Sequence, residues 1–397
     1  MKQKVIVIGN SFSTRLGVIR SVGKIGCEVT VVAIAYFKTA NPPKPIDCYS
    51  KYVKDVIFFN RKYGREGLVK VIIEKCSDDY QKPIIIPTSD FTAVAIDNEE
   101  IRKHFLVPYI NNPISSIEHW MNKANQKAIA IQEGLNVAGF SVIERKDGSF
   151  VVPGTIKFPC FTKPLSSIGG GKKCLRRCDD MPELQDVLFD AEKNNVDKIL
   201  VEDYLNIEEE YAALGFSDGN NVSIPGVIKF VRESQSHKGV AMIGQVLPID
   251  GFQDVIEQFS RFIRQIGLVG LFDIDFFKCH EKFYFGELNV RIGGSGYAYT
   301  AMGVNLPEML VKSLLEYSFD DMPKLIRGSA SFVNERMCLD DWYRGFCTTK
   351  EYCRIIKDSD ISFVDDKEDS KPQKVFVKLF CQLFLKRCIK KCIGKKL

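Results

Sequence analysis

The stretch Phe283-Tyr284-Phe285-Gly286-Glu287-Leu288-Asn289-Val290-Arg291 constrains this chain more than any other. It reads as a strand, in which side chains two apart share a face, so Glu287, Asn289 and Arg291 project together. Upstream, Phe272-Asp273-Ile274-Asp275-Phe276 is a second strand, joined through Lys278-Cys279-His280-Glu281-Lys282. Folded as a hairpin over Leu271–Asn289, the two bring Asp275 beside Glu287. Unpaired carboxylates so placed repel, whereas a divalent cation between them makes the arrangement favourable. Two oxygen-bearing ligands beside a guanidinium suit a magnesium-bound polyphosphate. The alternative is a solvent-facing hairpin whose acids pair with Lys278 or Lys282.

Two further stretches point to phosphate and nucleotide chemistry. Pro159–Pro164 is a strand holding Lys163, followed by the loop Ser166-Ser167-Ile168-Gly169-Gly170-Gly171-Lys172. Consecutive glycines let backbone N–H groups approach phosphate closely, and lysines at both ends supply charge. The GxxxxGK[ST] spacing of a Walker A loop is absent, and a hairpin turn is the plainer alternative. Ile199–Leu205 is an apolar strand running into a connector, followed by Glu208-Glu209-Glu210-Tyr211. Such a connector can offer backbone hydrogen bonds and a flat wall to an adenine, and a following carboxylate can bind ribose hydroxyls. Alone, the acidic triplet is a solvated loop.

The first 110 residues alternate between strand and helix patterns. Lys4–Ile8, Glu28–Ile34, Val53–Phe59 and Pro83–Ile86 read as strands, with helices at Leu16–Lys24 and Glu66–Lys75. This alternation argues for an α/β fold with an open parallel sheet. No GxGxxG follows the first strand, so a dinucleotide site is unsupported. Pro87–Asp90 follows a strand end, where such sheets bind ligands. Helical patterns recur at Ile117–Glu133, which carries Lys123 and Lys127, and at Pro182–Lys193, Phe252–Ile266 and Leu306–Leu315. The expected divisions are 1–112, 113–200, 201–318, an irregular segment 319–370, and a tail 371–397.

A length of 397 residues fits two or three domains, and 45% hydrophobic with 26% charged residues is ordinary for a globular chain. The net charge of +5 is small for the length and implies no nucleic-acid partner. Thirteen cysteines lack CxxC or Cys/His metal spacing, and Met1–Lys4 leads straight into a strand. Reduced thiols in a cytoplasmic protein are therefore expected. No apolar run approaches the roughly 20 residues of a membrane span.

In their order and spacing these three signals resemble the ATP-grasp superfamily, which includes biotin carboxylase, carbamoyl phosphate synthetase, D-alanine–D-alanine ligase and the D-aspartate ligases. The resemblance covers roughly Ile117–Leu315 and implies two ATP-grasp lobes behind an N-terminal α/β domain. It implies that Lys123, in Met121-Asn122-Lys123, and Lys163 contact nucleotide phosphates, under a mobile loop of Gly169, Gly170 and Gly171. Glu202 and the backbone near Tyr204 resemble the adenine pocket. Glu210 resembles the ribose-binding acid, with Glu208 and Glu209 as alternative registers. Asp275, Glu287 and Asn289 match ligands for magnesium, or manganese, with Asp275 replacing the family's usual glutamate. Arg291 matches the arginine that steadies an acyl phosphate, and Gly293-Gly294-Ser295-Gly296 resembles the loop receiving a substrate carboxylate. Arg232, His237 and Lys238 lie where relatives place phosphate or substrate contacts. Ala301–Pro307 resembles the amino-acid and peptide ligases, D-aspartate-ligase-like members in particular.

The implied reaction is ATP-dependent joining of a small carboxylate to an amine. A carbamoyl- or carboxyl-phosphate-forming enzyme and a non-catalytic nucleotide-binding module are the alternatives. Many relatives are dimers, which leaves a homodimer open.

In the tail, residues 375–397, Phe376, Phe380, Leu383 and Phe384 can share a helical face with Cys388, Cys392 and Ile393. Lys378, Lys386, Arg387, Lys390, Lys391, Lys395 and Lys396 add positive charge. A basic amphipathic helix suits an anionic membrane, so peripheral contact at the inner face of the plasma membrane is expected. It would fit an acceptor that is an envelope or polysaccharide precursor. The alternative is packing on the chain itself or on a second subunit.

Overall fold

The computed structural model describes residues 2–39, 42–112, 115–146, 148–166, 168, 174–317 and 325–392, with side chains as far as Ile389. The strand Lys4–Gly9 is a β-branched run buried on both sides, as a central parallel strand requires. Val5 and Val7 face one core with the helix Phe12–Lys24, whereas Ile6 and Ile8 face another with the helix Gly64–Cys76. This strand pairs in parallel with Glu28–Ala35 and Ile84–Pro87, and Val53–Asn60 extends the sheet to four strands.

A smaller sheet is assembled from Arg176–Cys178, Cys160–Pro164, Lys198–Asp203, Phe140–Lys146 and Ser149–Phe150. The helix Met181–Lys193 covers one side through Leu184, Val187, Leu188 and Ala191, and Asp180 caps its start by accepting from the Glu183 N–H. Lys198–Asp203 runs unbroken, so this sheet extends past the expected division at 200.

The third sheet is the largest, with Glu209–Asp218, Leu268–Cys279 and Lys282–Asn289 side by side near one end of its strand order. The helices Gln253–Ile266 and Lys123–Gln132 back one face. The expected single helix over Ile117–Glu133 is two, Ile117–Trp120 and Lys123–Gln132, because Asn122 caps the second by accepting from the Ala124 N–H.

The segment expected to be irregular is regular where described. Ala330–Val333 adds to the large sheet, the helices Glu335–Arg344 and Thr349–Asp358 follow, and Ile361–Ser362 pairs with Ala330–Val333. The chain then returns to the N-terminal domain, where buried Arg20 donates to the carbonyls of Phe363 and Val364 and to Asp369.

The carboxy-terminal helix Lys371–Cys392 lies on this region with Phe376 buried. Phe380 sits 5.1 Å from the Trp342 ring and 5.2 Å from that of Tyr352. Of the face expected to meet a membrane, Phe376, Phe380 and Leu383 thus pack on the protein's own Trp342 and Tyr352, whereas Phe384 and Cys388 are exposed. Among the described residues no helix is long and apolar enough to cross a membrane, and the cysteines are unpaired.

Candidate active site

The hairpin over Leu268–Asn289 turns at His280 and Glu281, both at positive φ (47° and 60°), which makes a tight two-residue connection. Asp275 stands opposite Glu287, and Asp273 opposite Asn289. A bulge at Gly286 sets the phase of this pairing. Phe276 pairs with Phe285 and Asp275 with Glu287, leaving Gly286 as the extra residue. Phe285, Leu288 and Val290 therefore enter the core, while Glu287, Asn289 and Arg291 face the cleft. A Cβ at Gly286 would meet the Phe277 ring at 2.7 Å and the Asp275 carbonyl at 2.8 Å.

The cleft is a cavity of about 540 Å³ between the N-terminal domain and this hairpin. Arg291 donates to Asp90 of the N-terminal domain at 3.0 Å and to the Asn289 amide oxygen at 3.1 Å, with Asp273 3.6 Å away. Lys123 is nearly buried and pairs with Glu287 at 2.8 Å. Lys127 and Lys163 hold the two oxygens of buried Glu202, at 2.7 and 2.8 Å. The charges of Lys163, Glu287 and Asp275 act on one another, so the lysine pair around Glu202 lies within electrostatic reach of the acids that line the cavity.

These contacts set protonation. Burial pushes the Asp273 carboxyl up to about 6, opposed by Arg291 and reinforced by Glu287 and Asp90. Burial, then Asp273 and Glu287, hold Asp275 well above the carboxylate range. Burial also acts to raise Glu287, but Lys123, Lys163 and Arg291 outweigh it and keep this group low. Glu202 is likewise low, because Lys163 and Lys127 overcome its burial.

Among the described residues no three His, Cys, Asp or Glu side chains close a metal cage. The set here is two carboxylates and an amide, which fits a hard divalent cation whose other ligands are phosphate oxygens and water. Asp273 Oδ1 is buried without a hydrogen-bond partner.

Of the residues expected from sequence, Asp275, Glu287, Asn289, Arg291 and Ser295 line the cavity. Glu202 differs from expectation: its side chain is the shared counterion of two lysines. The Tyr204 N–H is engaged by the Pro159 carbonyl at 3.2 Å and its ring is covered by Arg177, so that N–H is not open to an adenine. Glu210 shares a strand face with cavity-lining Ala212, whereas Glu209 pairs with Lys229 and Tyr211, and Glu208 accepts from the His280 N–H. His237 lines the cavity and bonds Asp340 at 3.0 Å, and Arg232 pairs with Glu351. Gly169, Gly170 and Gly171 lie outside the described residues. Sequence reasoning left Lys127 and Asp273 without site roles, whereas Asp90, in the stretch Pro87–Asp90 read as a ligand-site candidate, lines the cavity. Lys127 carried a signal, standing one helical turn from Lys123, and Asp273 stands two residues before Asp275 on one strand face.

A family model described as ATP-grasp domain matches residues 128–308. The formate-dependent phosphoribosylglycinamide formyltransferase of Prochlorococcus marinus (strain NATL2A) is 25% identical over 256 residues, covering 63% of this chain and 62% of that protein. The match thus spans less than two-thirds of that relative's length. The structure of N5-carboxyaminoimidazole synthetase from Staphylococcus aureus complexed with ADP superposes with a TM-score of 0.62 at 17% identity, covering 88% of this chain and 87% of that one. An L-amino acid ligase from Bacillus licheniformis gives 0.61 at 17%, covering 83% and 79%. At these identities the structural likeness establishes the fold.

Proposed function

Because this chain carries an ATP-grasp domain, we propose that it is an ATP- and magnesium-dependent ligase that joins a carboxylate to an amine through an acyl phosphate. The observation that carries the reading is a pair of oppositely charged walls within electrostatic reach of each other, Lys127 and Lys163 around Glu202 and, lining the cavity, Asp275, Glu287 and Asn289 beside Arg291. Polyphosphate suits the first wall and a divalent cation the second. Exchange of the Lys123–Glu287 pair would free a lysine for phosphate and a carboxylate for metal at one stroke.

Asp275, Glu287 and Asn289 would hold magnesium, or manganese, which when bound neutralises charge developing on the phosphates. Lys123 and Lys163 orient the phosphates, and Gly169–Gly171 are assigned as their cover on the family resemblance. Glu202 keeps Lys163 charged, and Glu210 is the ribose acid. Arg291 and Ser295 receive the substrate carboxylate, Arg291 steadying the acyl phosphate during attack by the amine. The chain's contribution is positioning and electrostatic stabilisation. The products are an amide, ADP and phosphate. The substrates are small molecules, one an amino acid and the other an envelope or polysaccharide precursor met at the inner face of the plasma membrane.

Magnesium-dependent ADP release against a panel of amino acids and small carboxylic acids tests this. Substrate-stimulated release should fall by about a hundredfold or more in Glu287→Ala. Failure of the wild-type protein to bind nucleotide would sink the reading.

A further inference from the structure

The carboxy-terminal helix is apolar on two sides, and the protein covers one. Phe376, Phe380 and Leu383 pack toward Trp342 and Tyr352, and Arg387 lies over the Trp342 ring at 4.8 Å while donating to the Trp342 carbonyl. On the opposite side Val377, Leu385 and Ile389 are 51%, 62% and 56% exposed. Exposed Cys381 and Cys388 fill the gaps between them. Positions 377, 381, 385 and 388 recur at the helical period, so they form one stripe rather than scattered surface residues.

Charge decides what fits that stripe. Residues 371–397 hold nine of the 55 lysines and arginines and none of the 50 acids, which leaves 46 basic against 50 acidic side chains elsewhere. The chain is thus net acidic apart from this tail. Lys374, Lys378 and Lys386 are exposed on the same helix. Their stems extend apolar surface while their ammonium groups meet anions at its edge. A second copy of the chain would bring nine like charges against nine, which disfavours self-pairing.

We infer that the stripe Val377–Cys381–Leu385–Cys388, with its flanking lysines, docks the protein on an anionic lipid surface, the aromatic side of the same helix serving only as its mount on Trp342. Apolar side chains enter the interfacial layer and lysines pair with lipid phosphates. This deepens the membrane location proposed above and does not depend on the ligase chemistry.

The test is sedimentation of the full chain with phosphatidylglycerol or phosphatidylcholine vesicles, with light scattering for oligomeric state. Binding to phosphatidylglycerol alone is expected, weakened by salt and by about tenfold or more in Leu385→Ser/Ile389→Ser. Lys378→Gln/Lys386→Gln keeps the apolar stripe and should weaken binding in the same direction. No binding to either vesicle, equal binding to both, or unchanged binding by the serine variant overturns the inference. So does a wild-type dimer that the serine variant dissociates. ADP release in the same preparations separates the two readings: binding without turnover counts against the ligase alone, and turnover without binding against the docking alone.

Discussion

Beside the cavity, Lys163 of the small sheet and Lys127 of the helix Lys123–Gln132 form one wall around a shared buried glutamate, whereas in the second wall, lined by Asp90, Asp273, Asp275 and Glu287, the acids share Arg291 and Lys123. The first wall has a surplus of positive charge and the second a surplus of negative charge. They carry it differently. Glu202 stays ionised and keeps Lys163 charged, whereas burial and the neighbouring charge of Lys163 lower Lys127, so the positive surplus rests on Lys163. The negative surplus is relieved by protons, because Asp273 and Asp275 titrate above the usual range. A carboxylate therefore has opposite value on the two walls, stabilising where it separates lysines and costly where it adds to other acids.

The largest effect expected from that contrast is on the lysine wall. Glu202→Gln should lower unfolding free energy by about 3–5 kcal/mol in urea titration, because it strands Lys127 and Lys163 together in a buried site. A change below about 1 kcal/mol would mean the lysines find other partners.

The next prediction has the opposite sign. Asp273 has an ordinary carboxyl value of 3.8 and sits at about 6 in the fold, so the native state binds its proton more tightly. Its contribution to stability is full below the unfolded value and weakens as pH rises from about 4 to about 6. Asp273→Asn removes this loss and should gain about 1–3 kcal/mol over wild type at pH 7, with little gain at pH 4. Equal pH slopes in the two proteins would show that Arg291 already compensates Asp273.

The smallest effect is expected where the negative wall meets the N-terminal domain. The Arg291–Asp90 pair is partly exposed, so Asp90→Asn should change stability by less than about 1 kcal/mol. It should lower kcat for ADP release by roughly threefold to tenfold, since Arg291 loses one of the groups that aim it. An unchanged kcat would leave that task to Asn289 and Asp273.

The parallel sheet was legible because runs such as Val5–Ile8 are local signals that need no partner to read. So was the common face of Glu287, Asn289 and Arg291. Simple alternation, however, also puts Phe283 and Phe285 on that face, and only pairing with Leu268–Cys279 reveals the bulge that separates them. Glu202 was read by its strand, but its partners come from a helix and a neighbouring strand. The tail's aromatic face was visible, yet what covers it, Trp342, lies on another helix. Ala330–Val333 and Ile361–Ser362 are too short to announce themselves and become strands by joining an existing edge.

The bulge at Gly286 makes the hairpin a counted object. Adding or deleting one residue between the His280–Glu281 turn and Glu287 would turn Leu288 and Val290 outward and drive Glu287 and Asn289 among the core phenylalanines. Spelling at the polar positions can vary one letter at a time, but the number of letters cannot. Diversification in a protein built this way is steered into segments whose length is free, outside this strand pair.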